Sequence, residues 1–378
     1  MIKVALTDIC DFQGGTQPPK EEWIDHQEQG YIRMLQIRDF TQSEKNNIEY
    51  VKDKDNLKKC NENDILIGRY GASVGKILTG LSGAYNVAII KTIPDTSKVS
   101  RRFLFHYLNS SYFQEFIRSV GSRAAQAGFN KDDLKNALIP LYTDEEQQKI
   151  AEVLDKVSVL IVKRRQQLEK LDLLVKARFV EMFGDPVSNS YQFPVLSLPE
   201  LGELGRGVSK HRPRNAPELL GGKYPLIQTG EVANSDLYIH SYENTYSEVG
   251  FQQSKMWKAG TLCITIAANI AKTAILSFDA CFPDSVVGFS ANEKTNNIFV
   301  HYWFSFFQEI LEAQAPESAQ KNINLKILSE LNVIVPDIEE QNCFADFVEQ
   351  AEKTKTRIRE SLTKLETLKK ALMQEYFG

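Results

Sequence analysis

The sequence predicts an α/β chain of the mixed α+β kind: two α/β domains in tandem, each followed by one long helix, with the two helices pairing as a coiled coil. Three observations predict it. Two stretches of about forty residues carry an unbroken heptad pattern. Those stretches align with each other from end to end, and the regions ahead of them also repeat. The boundaries that follow are 1–143 for the first domain, 144–184 for the central helix, 185–336 for the second domain and 337–378 for the last helix.

Glu145 to Gly184 holds no Pro, and no Gly until its final position, where Gly184 and Asp185-Pro186 supply a stop. Steps of four and three pick out Ile150, Leu154, Val157, Ile161, Arg164, Leu168, Leu171, Val175, Arg178 and Met182. All but the two arginines are apolar, which is the seam of a coiled-coil helix. At about 1.5 Å per residue the helix runs roughly 60 Å, longer than a compact domain buries, so it needs a partner.

Glu339 to Gly378 is that partner. Glu145 aligns with Glu339 and Gly184 with Gly378 without a gap; Leu168, Leu171 and Lys176 recur as Leu362, Leu365 and Lys370. The second seam is Phe344, Val348, Ala351, Lys355, Ile358, Leu362, Leu365, Lys369, Leu372 and Tyr376. Its polar breaks fall elsewhere: Ile161 and Val175 correspond to Lys355 and Lys369, while Arg164 and Arg178 correspond to Ile358 and Leu372. Complementary breaks favour pairing of unlike strands.

The domains repeat more faintly. A short strand leads to a Gly-rich loop at 12–15 and again at 204–207. Tyr31–Asp39 and Tyr224–Glu231 both read as strands, with Gln36 and Gln228 holding the same place. Asp64–Lys76 and Thr261–Lys272 each read as a buried strand, a turn of small residues and a second strand. Ala84–Ile90 and Phe282–Phe289 read as one strand each, and a helix follows carrying His106-Tyr107 or His301-Tyr302. Each domain then shows Ala-Gln, an Asn, and a short helix ending at Ile139-Pro140 or Val335-Pro336.

Composition sets limits. With 42% apolar and 25% charged residues over 378 positions, the chain has material for two full cores. No run of eighteen apolar residues reads as a membrane span, and the opening MIKVALTDIC carries no secretory pattern, so a cytoplasmic protein is expected. Five scattered cysteines with no CxxC fit reduced thiols and argue against structural zinc. A net charge of −4 does not mark a nucleic-acid binder, so such a function must rest on local patches.

Catalytic motifs are missing. Gly71-Ala-Ser-Val-Gly75-Lys76 is one residue short of a phosphate loop and reads as a tight turn. HExxH, GxSxG and paired Cys/His ligand sets are lacking, so neither catalysis nor a metal is expected in this chain. His106 and His301 sit among aromatics and read as packing residues. Basic and amide-rich patches remain. Arg and Lys neutralise phosphates and read guanine; Gln and Asn read adenine. The candidates in the first domain are Gly14, Thr16, Gln17, Arg33, Gln36, Arg38, Arg69, Tyr70, Ser73, Lys76, Arg123, Gln126, Asn130 and Lys131. In the second they are Arg206, Ser209, Lys210, Arg212, Arg214, Gln228, Thr229, Asn269, Lys272, Gln320, Lys321, Asn322 and Asn324. The loop at 206–214 is the strongest, because its Gly and Pro free the backbone to approach a ligand.

The doubled order of domain, Pro, Glu-x-Gln-start helix resembles the specificity (S) subunit of type I restriction–modification systems. The residues that carry it are Ile139-Pro140 with Glu146-Gln147, Val335-Pro336 with Glu340-Gln341, and the Asp64-Ile-Leu-Ile strand ahead of Gly75-Lys76; Ala271-Lys272 stands in place of the second Gly-Lys. The resemblance implies two target-recognition domains, each reading one half of a bipartite DNA site. It implies antiparallel pairing of the helices as a spacer, in a chain of pseudo-twofold symmetry, and as a dock for two modification (methyltransferase) subunits. Catalysis would lie in partners: S-adenosylmethionine with the modification subunits, ATP and Mg with the restriction subunits, and none of these in this chain. A different class of function, a pair of coiled-coil-tethered domains for protein or glycan ligands, shares the architecture but needs no basic groove. The salt dependence of DNA binding separates the two.

Overall fold

A computed structural model of the chain describes residues 2–42, 47–121, 128–211, 213–267, 270–314 and 323–378. They form two compact units, Met1–Arg165 with Arg359–Gly378, and Gln166–Ile358.

In the first unit Ile2–Ala5 pairs antiparallel with Leu138–Leu141, Ile2 opposite Leu141, so the first and last strands of the domain close on each other. One sheet runs in the order Cys10–Gly14, Ile89–Pro94, Leu66–Gly68, Ile77–Leu78. A second runs Trp23–Ile24, Tyr50–Lys52, Tyr31–Leu35, Gly83–Tyr85, Lys59–Cys60. Helices α1 (Ile37–Thr41), α2 (Arg101–Leu108) and α3 (Ser111–Gly121) precede the long α4 (Asp144–Phe183). The core beneath α2 and α3 gathers Phe103, Tyr107, Phe113 and Ile117, all fully buried or nearly so.

The second unit repeats the plan. Val195–Ser197 pairs with Asn332–Ile334. Its larger sheet runs Gly202–Arg206, Val286–Ala291, Leu262–Thr265, Thr273–Leu276, the order of the first unit, with Tyr238–Ile239 added at the edge. The other sheet runs Asn244–Tyr246, Leu220–Leu226, Ala280–Cys281, Met256–Trp257. Helices α5 (Leu198–Leu201), α6 (Thr229–Asn234), α7 (Glu248–Gln252), α8 (Asn297–Gln314) and α9 (Leu325–Ser329) lead to α10 (Ile338–Phe377).

The long helices form as their periodicity dictates. Every seam residue named above is buried or half-buried. In the first unit Ile150 and Leu154, early in α4, share a core with Met373 and Phe377, late in α10. In the second unit Phe183, late in α4, lies 5.7 Å from the ring of Phe344, early in α10. The pair is therefore antiparallel, as expected. Each buried Leu, Ile, Val or Phe contributes about 1.5–3 kcal/mol, so the seam holds both helices firmly. The polar breaks are accommodated differently in the two units. Lys355, 2% exposed, bridges Asp172 on α4 at 2.5 Å and Glu352 at 2.6 Å. Gly184, at φ 68, ends α4 with a bond from its N–H to the carbonyl of Val180 at 2.9 Å.

Several local expectations are corrected. The Gly-rich stretches are strands, Cys10–Gly14 and Gly202–Arg206. Glycine is needed at their ends because a Cβ on Gly15 would meet the Asn86 carbonyl oxygen at 2.1 Å, and one on Gly207 the Pro283 oxygen at 2.3 Å. Ala84–Ile90 divides into Gly83–Tyr85 and Ile89–Pro94, in different sheets, since Asn86 turns the chain and accepts the Ile89 N–H at 3.0 Å. The second domain divides likewise. Ile139-Pro140 lies inside a strand rather than at a helix end; Pro is tolerated there because that strand has only one neighbour. Among the described residues no helix is long and apolar enough to cross a membrane.

Candidate nucleic-acid interface

The candidate residues of the first domain gather in two places. At the edge of the four-stranded sheet, Arg69 donates from Nε to the Phe129 carbonyl at 2.8 Å and lies 5.0 Å over the Tyr70 ring. Tyr70 is 38% exposed and bridges to Gly128. Gly14 is beside the Arg69 guanidinium, where an added Cβ would rest in ordinary contact, 3.8 Å from Nη1. Lys131 pairs with Asp11 at the start of the same edge strand, and that ammonium holds the Asp11 carboxyl below the usual range. Asn130 and Asp133 exchange bonds between side chain and backbone at 3.0 and 2.7 Å, which fixes the loop. Ser73 lies in the turn Gly71–Ser73, and Lys76, just beyond it, is exposed.

The second place is the start of α1. Gln36 is its N-cap in a full capping box with Asp39, so its backbone N–H donates to Asp39 Oδ2 at 2.7 Å. Its amide donates to Glu49 at 2.6 Å. Arg38 and Lys20 pair with the same Glu49, and Arg33 with the buried Asp39 at 2.9 Å. Burial alone would raise the Glu49 carboxyl, but the Lys20 and Gln36 hydrogen bonds outweigh it and hold the group low. Thr16 sits nearby, its N–H on the Tyr85 carbonyl at 3.0 Å, and Gln17 is exposed.

In the second domain the 206–214 loop is tethered. The Gln253 side-chain oxygen accepts the N–H groups of Lys210 at 2.5 Å and His211 at 3.0 Å, and Ser254 donates to the Val208 carbonyl at 2.9 Å. Arg206 donates to the Asp284 backbone oxygen and Arg214 pairs with the Asp284 carboxylate at 2.5 Å, so two guanidinium groups converge on one residue. Ser209, between them in the loop, is buried. Gln228 caps α6 in a capping box with Glu231, the same role as Gln36, and Thr229 follows as the first helical residue. Asn324 caps α9, accepting the Ile327 N–H at 2.9 Å. Lys272 stands apart from these, lining a cavity against α4 and α10. Arg123, Gln126, Arg212, Asn269, Gln320, Lys321 and Asn322 lie outside the described residues.

The arrangement has a chemical logic. A carboxylate behind a guanidinium fixes the plane of its N–H fork, the geometry that phosphate or a guanine edge requires. Arg38 and Arg214 remain 43% and 46% exposed while their partners Glu49 and Asp284 are 17% and 23% exposed, so the cation faces outward and the acid lies behind. Of Glu49, Asp39, Asp284 and Gln253, which hold these cations and the loop, Asp39 alone carries a local signal, three residues after Gln36 in a capping box. They lie 6 to 78 positions from the groups they hold, and acids are not what one seeks in a DNA-contacting surface.

The family model for the type I restriction modification DNA specificity domain matches residues 1–170 and again 195–369. Each match opens at the strand that begins a domain and ends inside a long helix. The MjaVIII type I restriction enzyme specificity subunit of Methanocaldococcus jannaschii is 22% identical, over 98% of this chain and 90% of its own length. The EcoBI specificity subunit of Escherichia coli is 22% identical, over 83% and 73%. Among solved structures, a chain from work on assembly and conformational transition of the type I R-M system superposes with a TM-score of 0.60 at 16% identity, covering 100% of this chain and 97% of that one. The crystal structure of the type I restriction-modification S subunit from M. genitalium gives a TM-score of 0.60 at 14% identity, covering 100% and 96%. The fold is shared with both, and with one copy of the domain matched in each repeat and well over half of the chain covered, this protein belongs to the family of type I restriction modification DNA specificity domains.

Proposed function

We propose that this chain is the DNA-recognising, non-catalytic subunit of a type I restriction–modification complex, each domain reading one half of a bipartite site. One observation carries the reading: the frame is duplicated while the surface is not. Both domains keep the sheet order, the closing strand pair and the capped Gln. Their outward cations differ, Arg38 and Lys20 around Glu49 in one and Arg206 and Arg214 around Asp284 in the other. A common frame with unlike reading groups suits two unlike half-sites. The paired helices would set the spacing, for which roughly 60 Å of rod suffices to span a helical turn of about 34 Å. They would also dock two modification subunits, which bring S-adenosylmethionine, with restriction subunits bringing ATP and Mg, all in the cytoplasm.

The test is a domain exchange. The chain and its modification subunit should methylate one bipartite site, and replacing residues 1–143 with another such domain should change one half of that site only. Unchanged methylation would overturn the reading. Binding to duplex DNA should weaken steeply with salt; a flat response would favour a protein or glycan ligand instead.

A further inference from the structure

The rods carry a recess that the repeat has built twice and charged differently. In the first unit a groove of about 360 Å³ lies between the middle turns of α4 and the late turns of α10. Its cations are Arg165, Lys369 and Lys370, and its carboxylate is Glu366. Arg165 pairs with Glu366 at 2.6 Å, leaving the two lysines. Ile161, Val162 and Met373 give it an apolar floor, and Val162 is 51% exposed. The second unit holds the counterpart, about 410 Å³. Through the helix repeat Asp172 stands where Glu366 does, Lys176 where Lys370 does, Glu352 where Ser158 does and Lys355 where Ile161 does.

The counterpart neutralises itself. Lys355 is bonded to Asp172 and Glu352, and the remaining charged groups lining it are Asp236, Lys176 and Lys272, equal numbers of each sign in all. The first groove does not. Lys369 is half-buried and makes no ion pair among the described residues. Burial disfavours its charge, the Arg165 guanidinium adds to that, and together they draw its ammonium below the usual lysine range. Asp155 pulls the other way, but that carboxylate already receives Arg102 and His106 on α2, the latter at 2.7 Å. A half-buried cation beside a second cation is an unfavourable arrangement that an incoming anion relieves.

We propose that this first-unit groove is an anchor for an acidic, amphipathic segment of a protein partner, a carboxylate meeting Lys369 and Lys370 and an apolar side chain covering Ile161 and Val162, and that the second unit lacks such an anchor. The apolar floor favours a protein segment over a phosphate, which has no apolar surface to bury. The inference rests on the docking role proposed above and adds that two copies of one partner meet unequal ends, one held by charge and one not.

The experiment titrates the purified full chain with its cognate modification subunit at stepwise sodium chloride, reading stoichiometry by native mass spectrometry. Wild type should bind two copies, one step falling away with salt and the other hardly changing. The double variant Lys369→Gln, Lys370→Gln should weaken the salt-sensitive step about tenfold and leave the other. Lys176→Gln, in the counterpart, should change neither by more than about twofold. Two steps with equal salt response, or a double variant that binds both copies as wild type does, would overturn the proposal. So would a double variant that keeps its partners but loses DNA affinity, which would make the groove a phosphate site. A wild-type chain that binds no modification subunit removes the docking role itself, and the anchor with it.

Discussion

Gln147 and Gln341, at the same point of the two repeats, each donate to two carbonyls and accept one bond, from a backbone N–H in one case and a hydroxyl in the other. Gln147, on α4, accepts the Ser100 N–H at 2.8 Å and donates to the carbonyls of Lys98 at 2.8 Å and Tyr142 at 3.1 Å. Gln341, on α10, accepts the Thr295 hydroxyl at 2.8 Å and donates to the carbonyls of Lys294 at 3.1 Å and Pro336 at 2.8 Å. Both are buried, at 2% and 0% exposure. Gln147 ties the loop ahead of α2, and Gln341 the loop ahead of α8, to the start of a long helix. Replacing either with Ala removes all three bonds, two of them to carbonyls that are at least partly buried, and should cost about 1–3 kcal/mol in its own unit. Urea unfolding followed by Trp23 reports the first unit and by Trp257 and Trp303 the second. A loss below about 0.5 kcal/mol would show that the loops are held by something else.

Lys355 gives a sharper test, because the repeat supplies its own control. Lys355→Ala strands Glu352, 14% exposed, beside Asp172 and should cost roughly 2–4 kcal/mol. The ammonium titrates above the usual lysine range: burial opposes this, but the Asp172 and Glu352 hydrogen bonds prevail. The first unit carries Ser158 and Ile161 at the matching places. Glu352→Ser with Lys355→Ile therefore transplants a pattern the fold already accommodates, and should stay within about 1 kcal/mol of wild type. If the double variant is no more stable than Lys355→Ala, the two recesses are not structural equivalents.

How much of this was legible in the sequence follows from distance along the chain. The seams and the Gly184 stop were readable because they rest on short periods and on an ungapped repeat, whereas the order of the strands in each sheet was not. Gln36 and Gln228 were recognisable as equivalent, yet their capping role depends on Asp39 and Glu231 three residues on, a box easily overlooked when amides are being sought as base readers. The convergence of Arg206 and Arg214 on Asp284, or of Lys20 and Arg38 on Glu49, has no local signature at all. It is made by the tertiary fold, which joins residues 11 to 78 positions apart. Lys272 shows the limit of reading by homology of position: its neighbours are α4 and α10.

His301 should make the second unit sensitive to mild acid. Its Nδ1 is 2.9 Å from the Thr273 hydroxyl; burial first, then the charge of Lys355, lower its pKa from 6.5 to about 4. The imidazole is thus neutral in the folded state at pH 7. Because the folded value lies below the unfolded one, its contribution is complete above about pH 6.5 and is lost as the pH falls from there towards 4. One side of the ring faces the cavity that Asp172, Glu352 and Asp236 also line, so the contribution is on the order of 2 kcal/mol. Comparing unfolding of wild type and His301→Gln at pH 7 and pH 4.5 checks this. The variant should lose that part of the acid slope, while the slope due to carboxylates persists in both. Equal slopes would mean that His301 does not titrate in this window.

The turn that closes at Ala271 is one residue shorter than the one that closes at Gly75, and ends on a residue that suits it less well. In the first unit Gly75 donates to the Gly68 carbonyl at 2.9 Å and Gly68 to the Lys76 carbonyl at 2.8 Å. In the second Ala271 donates to the Thr265 carbonyl at 2.9 Å and Thr265 to the Lys272 carbonyl at 2.9 Å. Both central residues are left-handed, Gly75 at φ 80 and Ala271 at φ 58. Left-handed backbone costs an alanine about 1–2 kcal/mol, against which glycine's extra unfolded-state freedom must be set. Ala271→Gly should therefore stabilise the second unit by about 0.5–1 kcal/mol. The reverse change is not its mirror image. Gly75→Ala takes on the same backbone strain and also places a methyl 2.6 Å from Ile117 Cγ2 in a packed core, so it should cost about 2 kcal/mol or more. Thermal unfolding of both variants decides the matter, and a destabilised Ala271→Gly chain would mean that the Ala271 methyl contributes packing that outweighs its strained backbone.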